Sequence, residues 1–315
     1  MTADRLMPIN ALLGLCTPYD VNPSPLSAAG FRWVGLEVPL RCGDGGKVVA
    51  DAVLVHDAAA HLVICEAKSG NNIEVEQAHR YSKITPQTVV HAVSLTLPRA
   101  VEPSIEVLYL GLDAYSDRMT LSLESAEVPY PLLSVADKSI KLLRADGAST
   151  HLRNALPGTG VDLIAPPVTY IPFDHDSEVD DFINPVRAHL VRATASGETE
   201  ISIRALTERS CPYFLSYGQA ARAQFIKKVQ RAARQIAAEL PATYAYAEAP
   251  GGGEGYIRIL RTPEAFDARG RTQAYQALAR QQPRRQPRVD PNQLDLLQEL
   301  ADSDDSGSDN VEERP

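Results

Sequence analysis

Runs of apolar residues interrupted by turn signals predict a β-rich start to the chain. The stretches "GLEVPLRC" and "KVVADAVLVHD" flank "GDGG", a composition typical of a hairpin turn. After a second turn, "HLVICEAKSG" carries four consecutive apolar residues, which is typical of a core strand. These three stretches therefore predict three antiparallel strands.

A helix and two further strands are predicted after the third strand. The stretch "NNIEVEQAHRYSKITP" predicts a helix with Asn71 as its N-cap, Glu74 three residues later, and an end before Pro86. The stretches "TVVHAVSL" and "SIEVLYLGL" predict two strands, and the Pro-rich residues 116–175 predict loops with one or two helices. This order of elements is typical of an α/β core, which we place in a first domain over residues 1–175.

The pattern changes near residue 176. "ISIRALTER" and "GQAARAQFIKKVQRAARQIAAEL" predict two helices, and "ATYAYAEAPGGGEGYIRIL" predicts two strands around a Gly-rich turn. The second helix has an apolar stripe, formed by Phe225, Val229, Ala232, Ile236 and Leu240. Two helices followed by a hairpin is the order of a winged helix, so we predict a winged-helix-like domain over residues 176–262.

The end of the chain differs in composition from the rest. A helix at about 263–280 is followed by the basic, Pro-rich "QQPRRQPR", so residues 263–288 are predicted as a helix and linker. Low hydrophobicity and dense charge predict that residues 289–315 form a disordered acidic tail. A short leucine stripe within this tail could dock a protein partner, formed by Leu294, Leu297 and Leu300.

The distribution of charge matters more than its total. The chain carries a net charge of −9, but nine acidic residues and one arginine give the tail −8, so residues 1–288 carry only −1. Basic side chains of the long helix and of the following hairpin are candidates for contacts with nucleic-acid phosphates, namely Lys227, Lys228, Arg231, Arg234 and Arg258. The alternative is a solvated helix face.

Composition narrows the class of protein. A length of 315 residues suggests about two domains. The four cysteines are scattered without a Cys-x-x-Cys pair, which argues against a disulfide framework and against a zinc or iron–sulfur site. We find no signal peptide, and no apolar run approaches the roughly 18 residues of a membrane span. A cytoplasmic protein with free thiols is the expectation.

The end of the third strand carries charges that require an explanation. With tight hairpins, Glu37 faces Asp51 and Asp51 faces Glu66, while the strand period puts Lys68 on the face of Glu66. Opposed side chains lie about 5 Å apart, where two carboxylates repel by roughly 3 kcal/mol at an effective dielectric constant of about 20. A hard divalent cation, Mg²⁺ or Mn²⁺, would neutralise them, and Lys68 could orient the attacking water. The alternative is a solvated Glu-x-Lys pair at a strand edge.

This arrangement resembles a known superfamily. "ADAVLVHDAAAHLVICEAKSG" followed by "QAHRY" resembles the PD-(D/E)xK nucleases, which have the restriction-endonuclease-like fold, and the Gln-x-x-x-Tyr helix is similar to that of the RecB-like branch. The resemblance covers about residues 31–84. Ala50 stands where the motif has proline, and Glu37 stands where RecB-like members often have histidine. The positions that match the motif and the helix are Asp51, Glu66, Lys68, Gln77 and Tyr81.

The resemblance implies a mixed sheet flanked by helices and a Mg²⁺-dependent DNA endonuclease. It implies a metal held by Glu37, Asp51, Glu66 and the carbonyl of Ala67. Lys68 would activate the water, Gln77 would orient the strand or the lysine, and Tyr81 would pack beside them. The nuclease would serve a multi-protein antiviral, restriction or transposition system, and one alternative is that it stays silent until a partner delivers DNA. The other is an inactive nuclease-like subunit for DNA binding or assembly.

Overall fold

The computed structural model describes residues 2–18, 21–71, 73–97, 101–156, 158–249 and 253–260. The chain divides into two units, Met1–Thr262 and Pro263–Pro315, and every described residue belongs to the first. The predicted helix at about 263–280, the basic linker and the acidic tail lie outside the described residues. The boundary expected between residues 175 and 176 falls inside the first unit and stays a prediction.

A seven-stranded mixed sheet forms the centre of this unit, with its strands arranged in chain order. β3, β4 and β5 are parallel to one another, and all the other neighbours are antiparallel. The prediction of an α/β fold with a mixed sheet is confirmed. The strands are β1 (Phe31–Arg41), β2 (Lys47–His56), β3 (His61–Lys68), β4 (Ser104–Leu112), β5 (Leu132–Ala136), β6 (Ser139–Arg144) and β7 (Val161–Asp162).

The first three strands have the predicted registers around the charged residues, but the start of β1 is shifted by one residue at a bulge between Trp33 and Gly35. Across β1 and β2, Leu36 pairs with Ala52 and Val38 pairs with Ala50, so the intervening Glu37 lies at the level of Asp51. Across β2 and β3, each of the five residues 52–56 pairs with the predicted partner, beginning with Ala52 opposite Cys65. These registers place Asp51 of β2 at the level of Glu37 on one neighbouring strand and of Glu66 on the other.

Helices cover both faces of the sheet. Alternate residues of β2 separate into two apolar cores: Ala52 and Leu54 face one core, while Val53 and Val55 face the other. Buried residues from α1, α7, α8 and α9 belong to the first core, and residues from α3, α4 and α5 belong to the second. The helices so far are α1 (Thr2–Leu15), α2 (Pro25–Ala28), α3 (Val75–Tyr81), α4 (Pro86–Ala92), α5 (Ser116–Ser125), α6 (Thr150–Ala155), α7 (Val179–Ala195), α8 (Ile203–Ser210) and α9 (Gln219–Glu239).

A small antiparallel sheet accompanies the last two helices. Its strands are β8 (Glu200–Ser202), β9 (Tyr244–Ala247) and β10 (Tyr256–Ile259), with β10 in the middle. The predicted long helix and hairpin are confirmed as α9, β9 and β10. Phe225, Val229, Ala232 and Ile236 of the predicted stripe are buried, whereas Leu240 is only partly buried and packs against the same core.

The structure corrects three elements. Helix α3 begins at Val75 with Glu74 as its N-cap, so Asn71 is not the cap. The stretch "TVVHAVSL" is not a strand, because Pro86 opens α4 and the Thr85 hydroxyl accepts a hydrogen bond from the Thr88 N–H. Residues 116–175 contain the two expected helices, but they also contain β5, β6 and β7.

The structure also bears on the cysteines and on long apolar helices. All four cysteines are buried, and each is a free thiol. Among the residues that the structure describes, no helix combines the length and the apolarity that crossing a membrane requires.

Candidate active site

Asp51, Glu66 and Lys68 meet in one pocket beside α3. Glu66 lies two residues after Ile64, whose side chain belongs to the core that α3 covers. The strand period therefore directs Glu66 toward α3, with Lys68 two residues after it. Asp51 lines the same pocket and accepts a hydrogen bond from the N–H of Ala67, between them. The apolar start of β3 is buried in the core, whereas the charged side chains at its end line a pocket.

Helix α3 supplies two partners for these charges. The hydroxyl of the buried Tyr81 donates a hydrogen bond to Glu66 Oε2. Burial raises the pKa of the Tyr81 phenol well above its ordinary value, with a further contribution from Glu66, so the phenol retains its proton. Lys68 Nζ lies 2.8 Å from Glu66 Oε1 and donates to Gln77 Oε1 at 3.0 Å. The helix thus fixes both the acid and the base of the motif.

Asp51 lies where desolvation and neighbouring carboxylates both disfavour its ionised form. Its Oδ2 accepts a hydrogen bond of 2.6 Å from the N–H of Ala67, which ties β2 to the end of β3. Burial raises the pKa of Asp51 well above its ordinary value, and repulsion from Glu66 raises it further. Glu37 adds a smaller contribution of the same sign, which places all three acids within electrostatic reach of one another.

Glu37 reaches the pocket through an unusual backbone conformation. Its φ of 44° lies in the left-handed region, and consequently Leu36 and Val38 pack into opposite cores instead of the same one. Its Oε1 accepts a hydrogen bond of 2.7 Å from the N–H of His175, and its Oε2 lies 3.5 Å from the His175 ring. The interaction of the His175 ring with the Glu37 carboxylate raises the pKa of His175 to about 9.

These groups line an open pocket of about 590 Å³. One wall comes from β2, from the end of β3 and from α3, and a second wall comes from α1 and from residues 174–176. Arg5 on α1 pairs with Asp174 at 2.6 Å and with Asp176 at 3.2 Å, and so fastens that second wall. Among the predicted site residues, those that line the pocket are Glu37, Asp51, Glu66, Ala67, Lys68 and Gln77, while Tyr81 stands behind Glu66.

The chemistry of the donors fits a hard divalent cation. Three neighbouring carboxylates, two of which raise the pKa of the third, Asp51, are oxygen ligands of the kind that Mg²⁺ and Mn²⁺ prefer. However, within the described ranges no three histidine, cysteine, aspartate or glutamate side chains are arranged as a ready metal-binding group. Each carboxylate instead accepts a hydrogen bond from the protein, from the Ala67 N–H, Tyr81 or the His175 N–H.

The predicted nucleic-acid contacts divide into two groups. Lys227 and Arg231 are exposed on α9. Arg234 is also exposed, but it stacks 4.3 Å from the ring centre of Tyr246, and Arg258 on β10 lies 5.3 Å from that of Tyr256.

Lys228 differs from its neighbours, because its ammonium donates to two backbone carbonyls of the same chain. Both hydrogen bonds are 2.6 Å long, one to His175 and one to Ser177.

Two residues of the pocket wall escaped the sequence analysis. Arg5 lies in a segment for which no element was predicted, and His175 lies in the Pro-rich stretch that carried no clear pattern. His175 is 138 residues from Glu37 in the chain, and a lone histidine has no spacing that marks it as part of a site. Only the tertiary structure brings these two basic residues close to the three acids.

A family model described as the MJECL32 domain matches residues 5–125. The match includes Glu37, Asp51, Glu66 and Lys68 together with α3, and it ends before His175 and α9. No curated protein and no solved structure matches the chain.

Proposed function

We propose that this protein is a metal-dependent DNA endonuclease that hydrolyses phosphodiester bonds in the pocket where Asp51 of β2 meets the end of β3. The observation that carries the proposal is the convergence of Asp51, Glu66 and Lys68 on one open pocket, which Glu37 of the adjacent strand β1 also lines. An ammonium held against a carboxylate within an acidic pocket is suited to phosphate chemistry, in which charge develops on oxygen atoms.

Each residue of the candidate site has a proposed role. Asp51, Glu66, Glu37 and the carbonyl of Ala67 would hold Mg²⁺ or Mn²⁺. The bound ion would supply Lewis-acid stabilisation of the charge that develops on the phosphate. Lys68 orients the attacking water or offsets the phosphate charge.

The α3 residues support that chemistry from behind. Gln77 accepts a hydrogen bond from the Lys68 ammonium and so keeps it directed into the pocket. Tyr81 donates to Glu66 and holds this carboxylate in place.

The order of elements supports a restriction-endonuclease-like core. Helix α1 precedes three antiparallel strands, helices α3 and α4 follow, and β4 then returns parallel to β3. The acid and base of the motif lie at the end of the central strand of that arrangement, as the resemblance implies. The MJECL32 match covers this part of the chain.

The last part of the described chain supports a winged-helix-like DNA-binding region. The order α7, β8, α8, α9, β9, β10, with β10 between β8 and β9, is that of a helical bundle followed by a wing. In such a region α9 would lie in the major groove. Lys227 and Arg231 on α9, with Arg258 on the wing, would neutralise duplex phosphates.

The proposed setting is a larger assembly in the cytoplasm. A nuclease component of a defence, restriction or transposition system would need protein partners, and the acidic tail, which lies outside the described residues, would be their docking segment.

One observation favours a second candidate, an inactive nuclease-like subunit that binds DNA or assembles a complex. The three carboxylates accept hydrogen bonds from the protein itself, and within the described ranges no group is arranged to take a metal ion. A pocket satisfied by its own donors could persist for its structure alone.

Calorimetric titration with Mn²⁺, combined with a cleavage assay on a labelled duplex, separates the two. The endonuclease should bind Mn²⁺, Glu66→Gln should abolish both binding and cleavage, and Glu74→Gln should preserve both. Glu74 is a matched control because it lines the same pocket but is exposed at the start of α3. A folded wild-type protein that binds the duplex and takes up no Mn²⁺ would favour the inactive subunit.

A further inference from the structure

We propose that Lys228 is a positioning residue that connects the proposed DNA-contacting helix α9 to Glu37 in the pocket. This inference rests on the proposed function for its catalytic consequence, although its structural core can be tested separately. Lys228 was expected to contact phosphate, but its ammonium is directed at the chain itself. The connection runs through residues 174–177, of which 174–176 line the pocket.

The first link joins α9 to this segment. Lys228 Nζ donates hydrogen bonds of 2.6 Å to the carbonyls of His175 and Ser177, two acceptors that stand two residues apart. Hydrogen bonds from a charged donor are stronger than those between neutral groups. One ammonium therefore clamps the backbone around His175.

The second link joins the segment to Glu37. The N–H of the clamped residue, His175, donates 2.7 Å to Glu37 Oε1. Its ring stands 3.5 Å from the other carboxylate oxygen, so both atoms of the Glu37 carboxylate are held from residue 175. If the clamp is released, the N–H that fixes Glu37 is released with it.

The start of α9 also holds the backbone of Glu37. The N–H of Gly218 donates to the carbonyl of Leu36 at 2.8 Å, and a Cβ on Gly218 would lie 2.3 Å from the carbonyl oxygen of Glu37. Only glycine allows this approach. The left-handed Glu37 is therefore held at its backbone by the beginning of α9 and at its side chain by Lys228 through His175.

The position of Lys228 on α9 gives this connection a function. Lys227, its neighbour, and Arg231, one turn further on, are the exposed residues proposed to meet the duplex. A duplex that seats on α9 would thus engage the same helix that places Glu37. In this arrangement correct seating of the substrate and correct geometry of the pocket depend on one element.

Amide-resolved hydrogen exchange on the full chain tests the structural core directly. Lys228→Ala should accelerate exchange of the His175 N–H by about tenfold or more, because its hydrogen bond to Glu37 opens. Lys227→Ala, the matched control one residue away, should leave that exchange unchanged. Lys228→Arg should restore protection, since a guanidinium can donate to both carbonyls. Unchanged protection of His175 in a folded Lys228→Ala protein overturns the proposal.

A second measurement links the clamp to activity. Single-turnover cleavage with saturating protein should slow in Lys228→Ala while duplex affinity stays at the wild-type value. Lys227→Ala should weaken duplex affinity, and Lys141→Ala, which changes an exposed lysine on β6, should alter neither the affinity nor the saturated rate. Equal effects of Lys228→Ala and Lys227→Ala on affinity would make Lys228 an ordinary phosphate contact and overturn the positioning role.

The two measurements separate the claims. If the wild-type protein binds no Mn²⁺ and cleaves no duplex, the proposed function fails, but the exchange of His175 still decides whether Lys228 positions Glu37. Should Lys228→Ala unfold, Lys228→Met retains most of the side-chain stem while removing the donor, and the same exchange measurement applies to it.

Discussion

Neutralising Asp51 should stabilise the metal-free protein, although it removes a charged residue from the candidate site. The pKa of Asp51 is raised by burial and by Glu66, so its ionised form is disfavoured in the folded state. Two carboxylates about 5 Å apart repel by roughly 3 kcal/mol at an effective dielectric constant of about 20, and Lys68 offsets part of this. Asp51→Asn should therefore raise the free energy of unfolding by about 1–3 kcal/mol at pH 8.

The pH dependence follows from the sign of the shift. An aspartate whose folded-state pKa is raised binds a proton in the folded protein that the unfolded chain, with a pKa of 3.8, has lost. Wild-type stability then falls as the pH rises above about 4, by at most about 1.4 kcal/mol per pH unit for this group, until the folded carboxyl also ionises. Asp51→Asn lacks this loss, so its advantage should grow between pH 4 and pH 8.

Thermal unfolding with and without Mn²⁺ measures both effects. A gain of 1 kcal/mol raises the Tm of a domain of roughly 150–250 residues by about 2–4 °C. Mn²⁺ at about 100 times its Kd should stabilise the wild-type protein by about 2.7 kcal/mol and should have little effect on Asp51→Asn. The difference between the two Tm values should therefore become smaller, or the wild type should become the more stable protein.

Asp57→Asn is the matched control on the neighbouring turn. Asp57 pairs with Arg32 at 2.6 Å in a half-exposed salt bridge, and this interaction lowers the pKa of Asp57. Its removal should cost less than about 1 kcal/mol and should leave the response to Mn²⁺ intact. A Tm for Asp51→Asn at or below that of the wild type at pH 8, with an undiminished response to Mn²⁺, would refute the reasoning.

Three further predictions concern the surroundings of the site. Tyr81→Phe removes the hydroxyl that serves a buried carboxylate and should lower the free energy of unfolding by about 1–3 kcal/mol in urea titrations; a loss well under that range would mean that the carboxylate finds another donor. Lys227→Ala with Arg231→Ala should weaken duplex binding similarly for all sequences and reduce the salt slope by about 1 per lost contact, whereas Lys141→Ala, an exposed lysine on β6, should change neither quantity in fluorescence anisotropy. Truncation after Arg288 should strengthen non-specific duplex binding at low salt, because a tethered polyanion competes at an effective concentration of up to about millimolar; equal affinities at about 50 mM salt would leave the tail as a solubility or docking segment.

The sequence predicted the first three strands because local signals and the tertiary structure agree there. The two turns close tightly, so the registers of β2 follow from counting residues outward from each turn, and the apolar runs then assign the faces. Asp51, Glu66 and Lys68 were brought together by this argument alone. Gln77 and Tyr81 followed from helical spacing, since residues i and i+4 share one face.

One predicted strand was wrong because helix-capping residues outweighed its β-strand propensity. "TVVHAVSL" contains several β-branched residues and was predicted as a strand, but Thr85 caps a helix and Pro86 opens it. Val89 is buried in the same core as α3, so burial on a helix accounts for the valines as well as a strand would. The capping residues decided the outcome because propensity alone is a weak preference.

The environment of Glu37 could not be predicted from local sequence. Its left-handed backbone depends on Gly218, and its carboxylate depends on His175, which is 138 residues away. Counting from the hairpin placed Glu37 at the correct level but treated it as a regular strand residue. Contacts of this kind arise only when the segment at 174–177 and α9 fold against β1.

Incubation of supercoiled plasmid with the wild-type protein and with Lys68→Ala in the presence of Mn²⁺ shows whether this pocket cleaves DNA. The wild type should nick or linearise the plasmid, and Lys68→Ala should leave it intact while still folding and still binding duplex. Lys68→Ala that cleaves as fast as the wild type, or a wild-type protein that binds both Mn²⁺ and duplex yet leaves the plasmid supercoiled, would contradict the assignment of this pocket as a nuclease active site.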